Sequence, residues 1–246
     1  MASPGLATKL AVDVGAAAVT AAAVAPLIAA FDEAITRSAS GGNLWQALGL
    51  RLRSIISHPG SFFSSKAFQW MWLVYGVTYL TVNSLRTLQD SLGLSLGIFA
   101  TLILTVVNMS CNIAKDAAYS SLFGCDEEGC AITPKRAYAA WFLRDLVAFT
   151  FILTLPPIIA SALGINMALS YFVVPIFGQF FTTPLHLFGF SLCNMPTASM
   201  STHVATLKPA MGRTVVARQM RVIPPYSVGN VLNARLVAIA PALFGV

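Results

Sequence analysis

Apolar positions in this chain gather into six long stretches from which charge is nearly excluded, near residues 8–31, 67–87, 92–114, 139–163, 165–190 and 228–245. Each approaches the roughly 20 apolar residues that a helix needs to cross a bilayer core, so the pattern predicts six transmembrane helices. The polar connections alternate in length. The second and third stretches meet around Arg86 to Ser91 and the fourth and fifth around Gly164, whereas the other three connections are long. That alternation divides the chain into three tandem helix pairs, 1–88, 89–164 and 165–246, which has the form of an internal repeat. The fold class expected is an all-α membrane protein.

Three of the stretches end in an ionisable residue, in the strings Ala30-Phe31-Asp32, Ile113-Ala114-Lys115 and Pro184-Leu185-His186. An ionised group at a bilayer centre costs about 2.5–3.5 kcal/mol on insertion scales, so retained charges face the bundle interior or lie near an end. Asp32, Lys115, Asp116 and His186 are therefore the candidate polar network linking one helix pair to the next, with an Asp32 to Lys115 ion pair and His186 neutral or protonated beside it. The competing account is that they are interfacial charges. Arg144, next to Asp145 in the fourth stretch, and Arg235 in the sixth are candidate cavity or substrate contacts. A guanidinium in a wet cavity takes a carboxylate or phosphate through two parallel bonds, although each could also pair locally or reach the interface. For helix packing, Gly93 and Gly97 in the third stretch and Gly164 and Ala168 in the fifth stand at four-residue steps suited to close backbone approach.

Composition sharpens the membrane assignment. Of 246 residues, 57% are hydrophobic and 10% charged, with a mean hydropathy of +0.74, a balance that a soluble domain of this length would leave exposed. The net charge of +6 is spread over the long connections, with Arg37, Arg51, Arg53 and Lys66 in the first and Lys208, Arg213, Arg218 and Arg221 in the last. Such loops stay on the side that receives no translocated charge, which places both termini on the other side. The same charge suits anionic headgroups, so a bound phospholipid such as cardiolipin is the one ligand expected. Nucleic acid is a poor partner, because no aromatic-rich soluble module accompanies the basic residues. Cys111, Cys125, Cys130 and Cys193 lack zinc-site spacing and are expected as free thiols. There is no phosphate-binding or dinucleotide glycine motif, so no enzyme and no cofactor is expected. His58 and His203 fall in basic connections and are expected at the surface. Pro156-Pro157 and Pro224-Pro225 are expected to kink or end helices.

On these helix pairs and their ionisable ends, the chain resembles the mitochondrial carrier superfamily, in a divergent branch found in fungi and protists. Odd helices of that family end in Pro-x-[Asp/Glu]-x-x-[Lys/Arg]. Here Pro184-Leu185-His186 keeps the proline, Asp32 keeps the acid, and Ile35, Ala118 and Gly189 stand where the basic partner would be. The strings Thr78 to Asn83 and Phe181 to Leu187 add to the likeness. The resemblance implies the mitochondrial inner membrane, with both termini toward the intermembrane space. Because the motif is largely lost, it implies a structural accessory subunit of a respiratory-chain or ATP synthase assembly, with membrane lipids and complex subunits as partners. The alternative it leaves is an active transporter of an anionic metabolite.

Overall fold

A computed structural model describes residues 5–96, 98–123 and 133–243, and every regular element among them is helical. In chain order these are α1 (Leu6–Ala39), α2 (Leu44–Ser57), α3 (Pro59–Phe63), α4 (Lys66–Leu92), α5 (Ile98–Phe123), α6 (Lys135–Phe149), α7 (Leu155–Leu163), α8 (Met167–Asn194), α9 (Met200–Pro224) and α10 (Asn230–Leu243). Two short π-helical segments, Thr150–Thr154 and Pro225–Gly229, join α6 to α7 and α9 to α10. Three described runs are long and apolar enough to cross a membrane: Leu6–Ala39, Lys135–Leu163 and Leu169–Asn194. The fold is all-α, and the six-helix carrier arrangement is not what it establishes. Cys125 and Cys130 lie outside the described residues, while Cys111 and Cys193 are free thiols.

The helices outrun the apolar stretches. Asp32, Asp116 and His186 do not mark helix ends, because α1, α5 and α8 each continue about two further turns beyond them. Their polar groups find partners inside the protein, so helical hydrogen bonding continues past them. For the same reason the expected long connections are largely helix, with α2 and α3 in the first and α9 in the last. His203 correspondingly lies buried on α9, with its Nδ1 2.8 Å from Ser191 Oγ.

The segment from Arg86 to Ser91 also remains helical, and the chain turns at Gly93 instead. Gly93 and Gly164 end α4 and α7 in the left-handed region, at φ of +63° and +62°. The next amide in each case reaches back five residues, Leu94 to the Gln89 carbonyl at 3.1 Å and Ile165 to the Ala160 carbonyl at 3.2 Å, which closes the helix end in a Schellman-type cap. A Cβ at either glycine would meet nothing within 4 Å, so both stop helices and neither packs them. Gly97 lies outside the described residues, and Ala168 stands in the first turn of α8. Close approach falls elsewhere. A Cβ at Gly189 would lie 2.1 Å from Trp141 Nε1, one at Gly178 2.7 Å from the Phe151 Cβ, and one at Gly229 2.0 Å from Tyr79 Oη.

Both proline pairs adjoin a π-helical segment. Proline has no amide proton to close an ordinary turn, and the chain widens so that Leu155 N–H bonds the Thr150 carbonyl and Asn230 N–H bonds the Pro225 carbonyl.

Packing divides the chain into two units. One comprises Met1–Ala29, Ser54–Asn112 and Val222–Val246, the other Ala30–Arg53 and Ile113–Arg221. Neither coincides with the segments 1–88, 89–164 and 165–246. In the first unit α1 packs on α4: Trp72 Nε1 donates to the Ala18 carbonyl at 3.0 Å, and the hydrogen side of Gly76 faces the Ala21 methyl. In the second, α6 packs along α8 around a core of Ala137, Ala140, Trp141, Phe190, Leu192 and Cys193. Trp141 and Phe190 meet edge to face at 5.5 Å between ring centres.

Candidate functional site

The second unit holds a buried cluster of charge drawn from six helices. Asp32 and Glu33 come from α1, Arg51 from α2, Lys115 and Asp116 from α5, Arg144 and Asp145 from α6, His186 from α8 and Arg221 from α9. Lys115 Nζ lies 2.6 Å from Asp32 Oδ2 and also contacts Asp116. Asp32 takes a second cation at its other oxygen, Arg221 Nη1 at 2.7 Å. Glu33 bridges Arg37 on its own helix at 2.9 Å and Arg51 at 2.7 Å. Asp32, Glu33, Lys115 and Asp116 are each 2% exposed or less, so these contacts are made away from solvent, where Coulombic attraction is strong and an unpaired member is costly.

Arg144 is fully engaged. Its Nη1 contacts Asp116 Oδ2, its Nε donates to Asp145 Oδ1 at 2.8 Å, and its Nη2 lies 2.7 Å from that same oxygen. Nη1 also stands 2.7 Å from His186 Nδ1. A guanidinium only donates, so Nδ1 is the acceptor, and the imidazole is the neutral tautomer with its proton on Nε2. The four residues marked by the apolar pattern, Asp32, Lys115, Asp116 and His186, thus meet in one cluster with Arg144 among them. Asp145 keeps its second oxygen, Oδ2, without a hydrogen bond among the described residues.

Arg144 is therefore held by two carboxylates and a ring nitrogen. Arg235 is exposed on α10. Arg218, on α9, is buried with 7% exposure. Its Nε donates to Gln179 Oε1 at 3.1 Å and its Nη2 to Thr182 Oγ1 at 3.5 Å, both on α8.

The first unit carries a polar stripe along α4 at four-residue steps. Ser91 Oγ accepts from Lys9 Nζ at 3.2 Å, Thr87 hydrogen bonds Asp13, Asn83 pairs amide to amide with Asn233, and Tyr79 Oη donates to the Pro225 carbonyl at 3.0 Å. Beside it, Asn108 donates to Thr78 and Asn112 to Asn108, both at 2.6 Å. Asp13 is 1% exposed, and its Oδ2 has no hydrogen bond among the described residues. Among those residues there is no group of histidine, cysteine and acid side chains that could hold a metal.

Arg218, Arg221 and the Asn83–Asn233 pair escape the apolar pattern. The two arginines fall in a basic segment that looks like a loop. The α4 stripe has a visible signal, because Tyr79, Asn83, Thr87 and Ser91 recur every four residues, the period that places side chains on one helix face.

A family model described as probable citrulline exporter matches residues 16–238. No curated protein and no solved structure matches the chain. The family match overturns the resemblance to mitochondrial carriers, for which no family model matches. That resemblance stood on one retained proline, one retained acid and a spacing of apolar stretches, and the structure carries the helices past all three supposed motif ends. The mitochondrial placement, the direction of the termini toward the intermembrane space and the accessory-subunit role rested on the resemblance and lose their basis with it.

Proposed function

The chain belongs to the probable citrulline exporter family, and from that premise we propose that it is a multi-pass helical membrane protein that carries citrulline, or a zwitterionic amino acid of closely similar shape, across the bilayer. The observation that carries this reading is the family match, which extends over residues 16–238 and so takes in both the buried charge cluster and the α4 stripe.

The chemistry of the interior supports it. Citrulline carries a carboxylate, an ammonium and a neutral ureido group, so its net charge at neutral pH is zero. Its recognition needs both signs of charge together with neutral amide and hydroxyl partners. The second unit holds all of these, with the charge cluster, Gln179 and Thr182. An anionic metabolite fits less well, because each cation of the cluster already has a carboxylate. Movement of substrate requires these helices to shift, and the ion pairs from α1 to α5 and α9 are contacts that must exchange as they do.

The test is counterflow. Proteoliposomes loaded with unlabelled L-citrulline should accumulate labelled L-citrulline from outside, with competition by excess citrulline and much weaker competition by arginine or glutamate. Vesicles with correctly folded protein that accumulate no more label than protein-free vesicles would overturn the proposal.

A further inference from the structure

We propose that Arg218 is the anchor for the carboxylate of the transported amino acid, an inference that rests on the reading just given. The cations of the charge cluster each have a carboxylate at ion-pair distance: Lys115 has Asp32 and Asp116, Arg144 has Asp116 and Asp145, Arg221 has Asp32 and Arg51 has Glu33. Arg218 has none within 4.0 Å among the described residues. It is more than nine-tenths buried, and its Nη1 has no hydrogen-bond partner among those residues.

A guanidinium taken out of water without a counter-charge is an expensive arrangement, and here its surroundings position it without neutralising it. Gln179 Oε1 and Thr182 Oγ1 fix Nε and Nη2 from α8. Thr182 in turn donates to Gln179 Oε1 at 3.4 Å, and Thr183 Oγ1 bonds the Gln179 carbonyl at 2.6 Å. The acceptors are thus held in place by neighbours on their own helix. Among the charges acting on Arg218, Arg221 and Arg144 disfavour its cation, while Asp32 and Asp116 favour it and are already paired. The remaining donor edge is the one a carboxylate engages. An amino acid carboxylate arriving there would supply the missing charge and satisfy Nη1.

The experiment compares L-citrulline with its carboxamide, which has the same shape and ammonium but no carboxylate. Wild-type protein in proteoliposomes should transport citrulline at least about tenfold better than the amide, the range expected for one charge-assisted contact. In Arg218→Gln, citrulline transport should fall by about that factor and the preference over the amide should vanish. Lys208→Gln, an exposed charge removal on the same helix, should keep both. Arg218→Lys retains the charge but not the fork, so the KM for citrulline should rise about tenfold with kcat little changed. It also carries the test if the glutamine variant does not fold. Wild type that moves citrulline while either Arg218 variant keeps the wild-type KM and preference would overturn the inference and leave the transport reading standing. Wild type that moves no citrulline would overturn both.

Discussion

Gly189 shows how single residues set this packing. Its hydrogen faces the indole of Trp141 where any Cβ would come within 2.1 Å of Nε1, and Trp141 is fully buried with edge contacts from Tyr138 and Phe190. The ring has no room to retreat, so Gly189→Ala should destabilise the protein by about 1–3 kcal/mol or more through overpacking. Thermal unfolding in detergent would show it as a lowered midpoint, and an unchanged midpoint would mean that the indole can move aside. Residue identity alone points elsewhere for close packing, to Gly93 and Gly164, because a glycine at a helix end and a glycine at a helix contact look the same in a sequence. Charges stranded in apolar stretches are easier to see. Asp32, Lys115, Asp116 and His186 stand out that way, and they lie together in the folded chain. Arg218 does not stand out, because its neighbours in sequence are polar and basic, and only the packing of α9 on α8 through Gln179 and Thr182 reveals that it is buried.

At the level of elements, apolar runs locate the helices and misjudge their ends. A run ends where the first charge appears, whereas α4 and α7 end where Gly93 and Gly164 turn into the left-handed region. Segments rich in polar residues were therefore legible as connections, although α2, α3 and α9 are helical. The α4 stripe offers a test of how such an element is held. Asn83 and Asn233 exchange two hydrogen bonds, at 3.0 and 2.7 Å, in a buried setting. Asn83→Leu should cost about 1–3 kcal/mol, since it strands the Asn233 amide. Adding Asn233→Leu should recover part of that loss, because two apolar side chains leave no polar group unsatisfied. A double-mutant cycle on the unfolding midpoint reads the coupling directly, and strictly additive effects would argue against the pair. The π-helical segment beside the other end of the stripe is equally constrained, since the Tyr79 hydroxyl from α4 is 2.0 Å from where a Gly229 Cβ would be.

For the whole molecule, composition alone already separates this chain from soluble domains, and the helical class follows from it. The family does not, because spacing of apolar stretches is shared by unrelated helical membrane proteins, and it is the match over residues 16–238 that decides it. The buried cluster makes a prediction at this scale. Salt at 0.1 M largely screens exposed charges more than about 10 Å apart, but reaches buried pairs much less. The unfolding midpoint should therefore change little between about 0.1 M and about 1 M sodium chloride, and a steep fall would place the ion pairs within reach of water. Trp141 turns the same interior into an optical instrument. Trp45 and Trp72 are largely exposed and Trp70 is partly so, while the Trp141 indole donates to the carbonyl of His186 at 3.4 Å. Its emission should be the blue-shifted component of the intrinsic fluorescence. A variant that keeps Trp141 and replaces the other three with phenylalanine would report, without any label, each time α8 shifts against α6.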